Sequence, residues 1–388
     1  MAQSVDSTER ADIVIIGGGI IGSAIALRLA QSGASVIVID RGEPCSEASG
    51  AAAGMIAPQG EVIEPEAFSQ LCHASRDLYP EFVSEVEELS GDRVNYRRDG
   101  TLLVAIDQHE CEELEHIYRT QTALGMPLER LSNDHALERF SGLSPRIKLA
   151  LFVEGDHWID PQRLTRAVIK AGELSGVTYY WNCAVTGFTV KGDHVENVRA
   201  LPLGHSEEAV FSARRIVLAA GCWSGALAET LGLCIPTVPC HGEMIEFETP
   251  VDIPYVVRAG INYLVPRGPQ VAVAGGTAKW GTFEKVVTAG GLHSIIQGIT
   301  RILPIAKDFK FRRAWAGLRP DTKDHLPILG FGPMRNLVFA TGHFRNGILL
   351  APITARLGAE LVLTGAPSHS LELYSPERFS FAARSEIV

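Results

Sequence analysis

Gly17, Gly19 and Gly22 stand at the spacing G-x-G-x-x-G, and Asp40 closes the apolar run that follows them. Phosphate oxygens need unpaired N–H donors and a positive potential, and the N-terminus of a helix supplies both. Gly17 permits the tight turn, Gly19 lets the backbone approach a pyrophosphate, and Gly22 lets helix and strand pack closely. Asp40 is placed to accept from a ribose hydroxyl and would repel a 2′-phosphate, which argues against NADP. Ile20 and Ile21 inside the turn and Arg41 beside the acid are grouped with it as cofactor contacts. The alternative is a glycine-rich turn that binds nothing. A strand before it, a helix after it and an acid in register favour the ADP half of a dinucleotide. The motif alone does not separate FAD from NAD.

Three later segments favour a flavin. Residues 47–58 read EASGAAAGMIAP, a run of small side chains that lets backbone amides close on a flat ring. Ser49, Ala52, Ala53, Gly54 and Met55 are the contacts expected there, with a flexible linker as the plainer alternative. Residues 216–224 (IVLAAGCWS) are a buried strand ending in a small turn, which offers Ala220, Gly221 and Trp223. Val185, in the alternating stretch 179–190, is placed with them. Residues 317–330 and 336–352 form the third segment. Here a second helix N-terminus, near Asn346 and Gly347 with Ile348 and Leu349 behind, is expected to point at the pyrimidine edge of the flavin. Its dipole would favour the negative charge of the reduced ring.

These groups need rigid supports. Residues 12–16 are a β-branched run suited to a strand buried on both faces, 20–31 a helix, and 35–39 a second strand. Strand, helix and strand make a βαβ unit with a right-handed crossover. Helical patterning returns at 68–89 and 109–124, and strands are expected at 101–106, 179–190, 215–219, 243–247, 262–265 and 336–340. A turn at 342–346 and a helix at 347–363 close the organised chain, and the tail after Gly365 is expected to wrap the surface. The expected fold is α/β, a Rossmann-like doubly wound FAD-binding domain of glutathione-reductase type with an interleaved antiparallel-sheet substrate domain. Residues 10–90, 148–230 and 316–364 are assigned to the first and 91–147 and 231–315 to the second.

The 388 residues carry a formal net charge of −10, and no basic stripe offers itself to a polyanion, which excludes nucleic acid as a partner. Seven scattered cysteines show neither a C-x-x-C pair nor a zinc spacing, so reduced thiols, no metal and a cytoplasmic setting are expected. The polar opening at residues 1–10 reads as neither leader nor anchor, and the apolar run 13–21 is too short and glycine-broken to span a bilayer.

The pieces ASGAAAGM at 48–55, YLVPR at 263–267, AGLRP at 316–320 and GHFRNGILLAP at 342–352 resemble the D-amino acid oxidase superfamily. Within it they are most similar to the glycine oxidases linked to thiamine biosynthesis. The resemblance implies that Arg319 holds the substrate carboxylate, a task suited to a guanidinium because it offers two parallel donors. It implies that Tyr263 hydrogen-bonds the same carboxylate and that Arg345 lies near substrate and flavin. Each has a plainer reading: Arg319 paired with Asp321, Tyr263 filling a sheet face, Arg345 capping carbonyls. His241, His325 and His343 are given no catalytic role, because this chemistry needs only a neutral amine. The implied reaction is hydride transfer from the α-carbon of glycine or a small amine to flavin N5. Hydrolysis then gives 2-oxo acid and ammonia, and oxygen is reduced to hydrogen peroxide.

Sarcosine oxidases share the fold but carry charges in the loop matched by 51–55 and tether FAD through a cysteine. Small residues here, and no cysteine in PDTKDHLPI after Arg319, imply noncovalent FAD. D-amino acid dehydrogenases, which pass electrons to a quinone, are the nearer competitor; no amphipathic basic helix supports membrane association. A flavin-binding protein of purely structural role is disfavoured by the carboxylate clamp. Relatives of this kind are often tetramers, and a homo-oligomer is carried over from them.

Overall fold

The β-branched run near the start of the chain becomes the strand Glu9–Ile16, whose last four residues are buried. A computed structural model describes residues 8–61, 64–126, 128–140 and 142–379. Of the polar opening, residues 1–7 lie outside the described part. Glu9–Ile16 pairs in parallel with Val36–Ile39 on one side and with Ala209–Leu218 on the other. Thr178–Tyr180 and Leu337–Thr341 extend this parallel sheet outward. The hairpin of Cys183–Lys191 and His194–Pro202 attaches to the first half of Ala209–Leu218.

Alternation along the central strand divides the core. Ile13 and Ile15 face the helices Ile20–Gln31, Glu66–Ser90, Pro161–Leu174 and Ala351–Thr364, while Val14 and Ile16 face the hairpin. Both sides are covered, which is why these strands read as unbroken apolar runs.

The second sheet is mostly antiparallel. In order it runs Lys279–Trp280, Val238–Glu248, Val271–Gly275, Asn262–Gly268, Val256–Ala259, Thr101–Ala105, Leu149–Val153 and Glu129–Leu131, with Lys310–Asp321 also on Val238–Glu248. One face packs on the helix Ala289–Ile302 through Ile295, Ile299 and Ile302. The other faces the first sheet across a cavity.

Two expectations change. The stretch 179–190 is two strands, broken where Asn182 takes a left-handed φ of 54°. The helix expected from residue 347 begins at Ala351, after a 3₁₀ turn at Phe344–Asn346. No α-helix N-terminus stands at Asn346 and Gly347; these residues lie in the turns that lead into the helix. The tail behaves as expected through its described part, with buried Tyr374 donating to the Ala67 carbonyl at 3.3 Å. Among the described residues no helix is long and apolar enough to cross a membrane.

Candidate active site

The cavity, about 430 Å³, lies at the carboxyl ends of the parallel strands, where open α/β sheets place their ligands. Gly17–Gly19, Ile20, Ile21, Asp40, Arg41 and Ala219–Gly221 form its first wall. Gly17 has φ +108° and a Cβ there would meet the Ala219 carbonyl at 2.4 Å. Gly22 does not line the cavity. A Cβ at Gly22 would sit 1.9 Å from the Gly17 carbonyl, so its part is helix-to-strand packing alone. Asp40 accepts from the Gly18 and Gly42 amides at 2.7 and 2.8 Å, which braces the turn. Burial raises its pKa, and those two amides oppose the rise.

The small-residue run is no linker. Ala48–Ala51 make one helical turn and Met55–Ile56 a short strand, with Ala52, Ala53, Gly54 and Met55 all on the cavity. Ser49 Oγ accepts from the Ile20 amide at 2.9 Å, tying the run to the glycine turn. Val185 and Trp223 lie on the same wall, and Arg41 stacks on the Trp223 ring at 3.7 Å. Arg345, Asn346, Gly347, Ile348 and Leu349 close the wall on the side of the 3₁₀ turn.

The second sheet supplies the opposite wall. Tyr263 pairs with Arg258 on one neighbouring strand and with Gly275 on the other, and Met244 pairs with Gly275, so these side chains share one face. Tyr263 is 9% exposed and its hydroxyl donates to Met244 Sδ at 3.2 Å. Arg319 lies flat on this sheet: a Cβ at Gly242 would meet its Nη1 at 2.3 Å. Its Nη1 donates to the Thr277 carbonyl at 3.2 Å. The pairing with Asp321 does not form. That carboxylate takes Trp280 Nε1 at 2.7 Å, the Thr322 amide at 2.8 Å and His325 Nδ1 at 2.8 Å. Tyr263 both faces the cavity and packs in a cluster with Trp158, Met244 and Val265.

Arg345 caps no carbonyl among the described residues. Its Nη2 reaches Glu61 Oε1 at 2.6 Å, and Arg258 Nη1 reaches the same oxygen at 2.6 Å. Burial alone would raise the Glu61 pKa, but Arg258 and Arg345 outweigh it and hold the carboxyl low. Both Glu61 and Arg258 line the cavity, and neither was apparent in the sequence. Their separation along the chain leaves no local signal. Of the three histidines set aside, His343 alone lines the cavity; burial lowers its pKa to about 3, so it is neutral near pH 7.

Residues 12–361 match the family described as FAD dependent oxidoreductase. The chain belongs to that family. The glycine oxidase of Geobacillus kaustophilus is 32% identical over 92% of this chain and 93% of its own. Its crystal structure superposes with a TM-score of 0.91 at 30% identity, covering 96% of this chain and 99% of that one. The bifunctional protein ThiO/ThiG of Trichormus variabilis is 35% identical over 95% of this chain, which spans 55% of that longer protein. An iminodiacetate oxidase from Chelativorans sp. BNC1 has TM-score 0.85 at 25% identity, covering 94% and 98% of the two chains. The cavity of this FAD-dependent oxidoreductase suits its cofactor. A glycine turn that admits no side chain, an acid at the end of the second strand and a wall of alanines leave backbone where a flat ring and a pyrophosphate need it.

Proposed function

We propose that this FAD-dependent oxidoreductase oxidises small amino acids, glycine first among them, to 2-oxo acid and ammonia with oxygen as acceptor. The observation that carries the reading is Arg319: a guanidinium on the cavity wall, opposite the glycine turn, whose neighbouring Asp321 is committed elsewhere. Such a cation suits a free carboxylate, which it can bind through two parallel donors. Tyr263 adds a hydroxyl on the same sheet face. Leu103, Met244 and Tyr263 line that end of the cavity, which favours a substrate with little side chain. With its pKa lowered to about 3, His343 is too weak a base to take a proton from an ammonium group near pH 7, so the amine must enter neutral, its proton lost to water. Bound FAD, held noncovalently, supplies the two-electron acceptor. The similarity to glycine oxidases supports this choice of substrate.

The residues 10–90, 148–230 and 316–364 are proposed as the cofactor unit and 91–147 and 231–315 as the substrate unit, except that Leu149–Val153 and Lys310–Asp321 are strands of the second sheet and cross that division. All seven cysteines are unpaired, which supports a reducing, cytoplasmic setting.

The test is an aerobic peroxide assay across glycine, sarcosine, D-alanine and D-proline, run beside an artificial electron acceptor. Peroxide from glycine in step with ammonia is expected. Turnover with the acceptor alone sinks the oxidase assignment, and no turnover of any amine sinks the substrate class.

A further inference from the structure

Two strands of the second sheet each carry a pair of residues at i and i+4, one at the cavity and one reaching the small-residue run beside it. On Lys310–Asp321 these are Trp315 and Arg319, and on Asn262–Gly268 they are Tyr263 and Arg267. Arg319 and Tyr263 line the proposed substrate end. The other two reach the small-residue run instead. Trp315 Nε1 donates to the Ala51 carbonyl at 3.2 Å, and Arg267 Nη2 donates to the Ala53 carbonyl.

Arg267 reaches the run at an irregular point of its strand. The register slips between Pro266 and Gly268, which leaves Arg267 as the extra residue of a bulge, a device that re-aims a side chain. Burial pulls its pKa down to about 10, and it still stays cationic at neutral pH. The run also touches the sheet directly, since a Cβ at Gly317 would lie 2.4 Å from Ala51 Cβ. A trans peptide holds its C=O and N–H on opposite sides. Fixing the Ala53 carbonyl against Arg267 therefore turns the Gly54 N–H away from that side chain, and Gly54 lines the cavity.

We propose that Arg267 and Trp315 are positioning residues that peg the flavin-facing loop by its carbonyls to the strands carrying Tyr263 and Arg319. One sheet then sets both the anchor of the substrate carboxylate and the seat of the flavin ring. This matters because a misplacement of about 1 Å between reacting groups costs on the order of a hundredfold in rate. The inference rests on the assignment of Arg319 and Tyr263 to the substrate, but its test does not need a substrate.

Apoprotein is titrated with FAD, and the absorption spectrum and reduction potential of the bound flavin are measured. R267M and W315F should each raise the FAD Kd about tenfold, the loss of one good hydrogen bond, and shift the visible bands of the flavin. R267M should also shift the potential, because the Gly54 amide on the cavity loses its orientation when the Ala53 carbonyl is released. R267K keeps charge and donor and should recover most of the loss, while W315F keeps the packed ring and so isolates the indole N–H. Native Kd, spectrum and potential in R267M and W315F overturn the proposal, as does an R267K protein no better than R267M. These readouts hold whether or not glycine is turned over.

Discussion

Arg319 is a half-buried cation with no carboxylate partner among the described residues, and that distinguishes a binding residue from a structural one. Structural arginines in this chain have partners: Arg313 lies on Glu246 at 2.8 Å and Arg378 on Asp324 at 2.7 Å. Removing one of those leaves a carboxylate stranded, which destabilises the fold. Removing Arg319 strands no carboxylate, because Asp321 is held by Trp280, Thr322 and His325. R319A should therefore melt at or above the temperature of the parent and keep its FAD. It should raise KM for every amino acid substrate about a hundredfold, the worth of a two-donor grip on a charge. Steady-state kinetics and thermal melts on the same preparation check both halves. A lowered melting temperature with unchanged KM would make Arg319 a structural residue. R319K keeps the charge but not the parallel donors, so it should fall between parent and R319A.

At the scale of elements, facing glycines on two paired strands separate the two tasks of the second sheet. Gly242 and Gly317 are partners in the ladder between Val238–Glu248 and Lys310–Asp321. A Cβ at Gly242 would strike the end of the Arg319 side chain, whereas one at Gly317 would strike Ala51 of the small-residue run. G242A should raise KM and leave FAD affinity alone. G317A should weaken FAD binding, because the run must back away from the sheet. Titration of the apoproteins and KM values on the holoenzymes test the pair, and equal effects on both quantities would show that the strands do not divide the work this way. This pairing also shows what was legible beforehand. Gly17, Asp40 and the strands around them follow from short-range spacing, since local rules set a βαβ unit. Gly317 was visible within AGLRP, but Gly242 acquires its meaning only from a neighbour far along the chain. The same holds for Glu61, which meets Arg258 and Arg345 across separations of 197 and 284 residues. The start of the last helix was misplaced for a local reason: residues 347–350 (GILL) are apolar enough to continue a helix but form turns between the 3₁₀ turn at Phe344–Asn346 and Ala351. The left-handed Asn182 broke a strand whose alternation ran on through it.

For the molecule as a whole, four buried titratable groups with large shifts shape how stability follows pH. Burial lowers His73 and His157 to about 4 and His343 to about 3, against 6.5 for a free side chain. Between those values and 6.5 the unfolded chain binds more protons than the folded one. The stability that depends on neutral histidines is thus present above pH 6.5 and is lost as pH falls toward 4. Asp156 works in the opposite sense. Burial raises it to about 7 from 3.8, only partly offset by the Gln59 amide, Thr101 and Arg76, and Glu61 nearby adds to the rise. Its contribution is full below 3.8 and is lost as pH rises through 7. The three histidines outweigh Asp156, which Asp40, also raised by burial, joins in sense, so the protein should lose melting temperature steadily below pH 6.5. D156N isolates the opposing group. At pH 5 the parent carboxyl is already neutral in the fold, so the amide changes little there. At pH 8 the parent must bury a charge whose Oδ2 finds no hydrogen-bond partner among the described residues, and the amide need not. The melting temperature of D156N relative to the parent should therefore be higher at pH 8 than at pH 5. A difference that is the same at both values would mean that Asp156 ionises as freely in the fold as outside it.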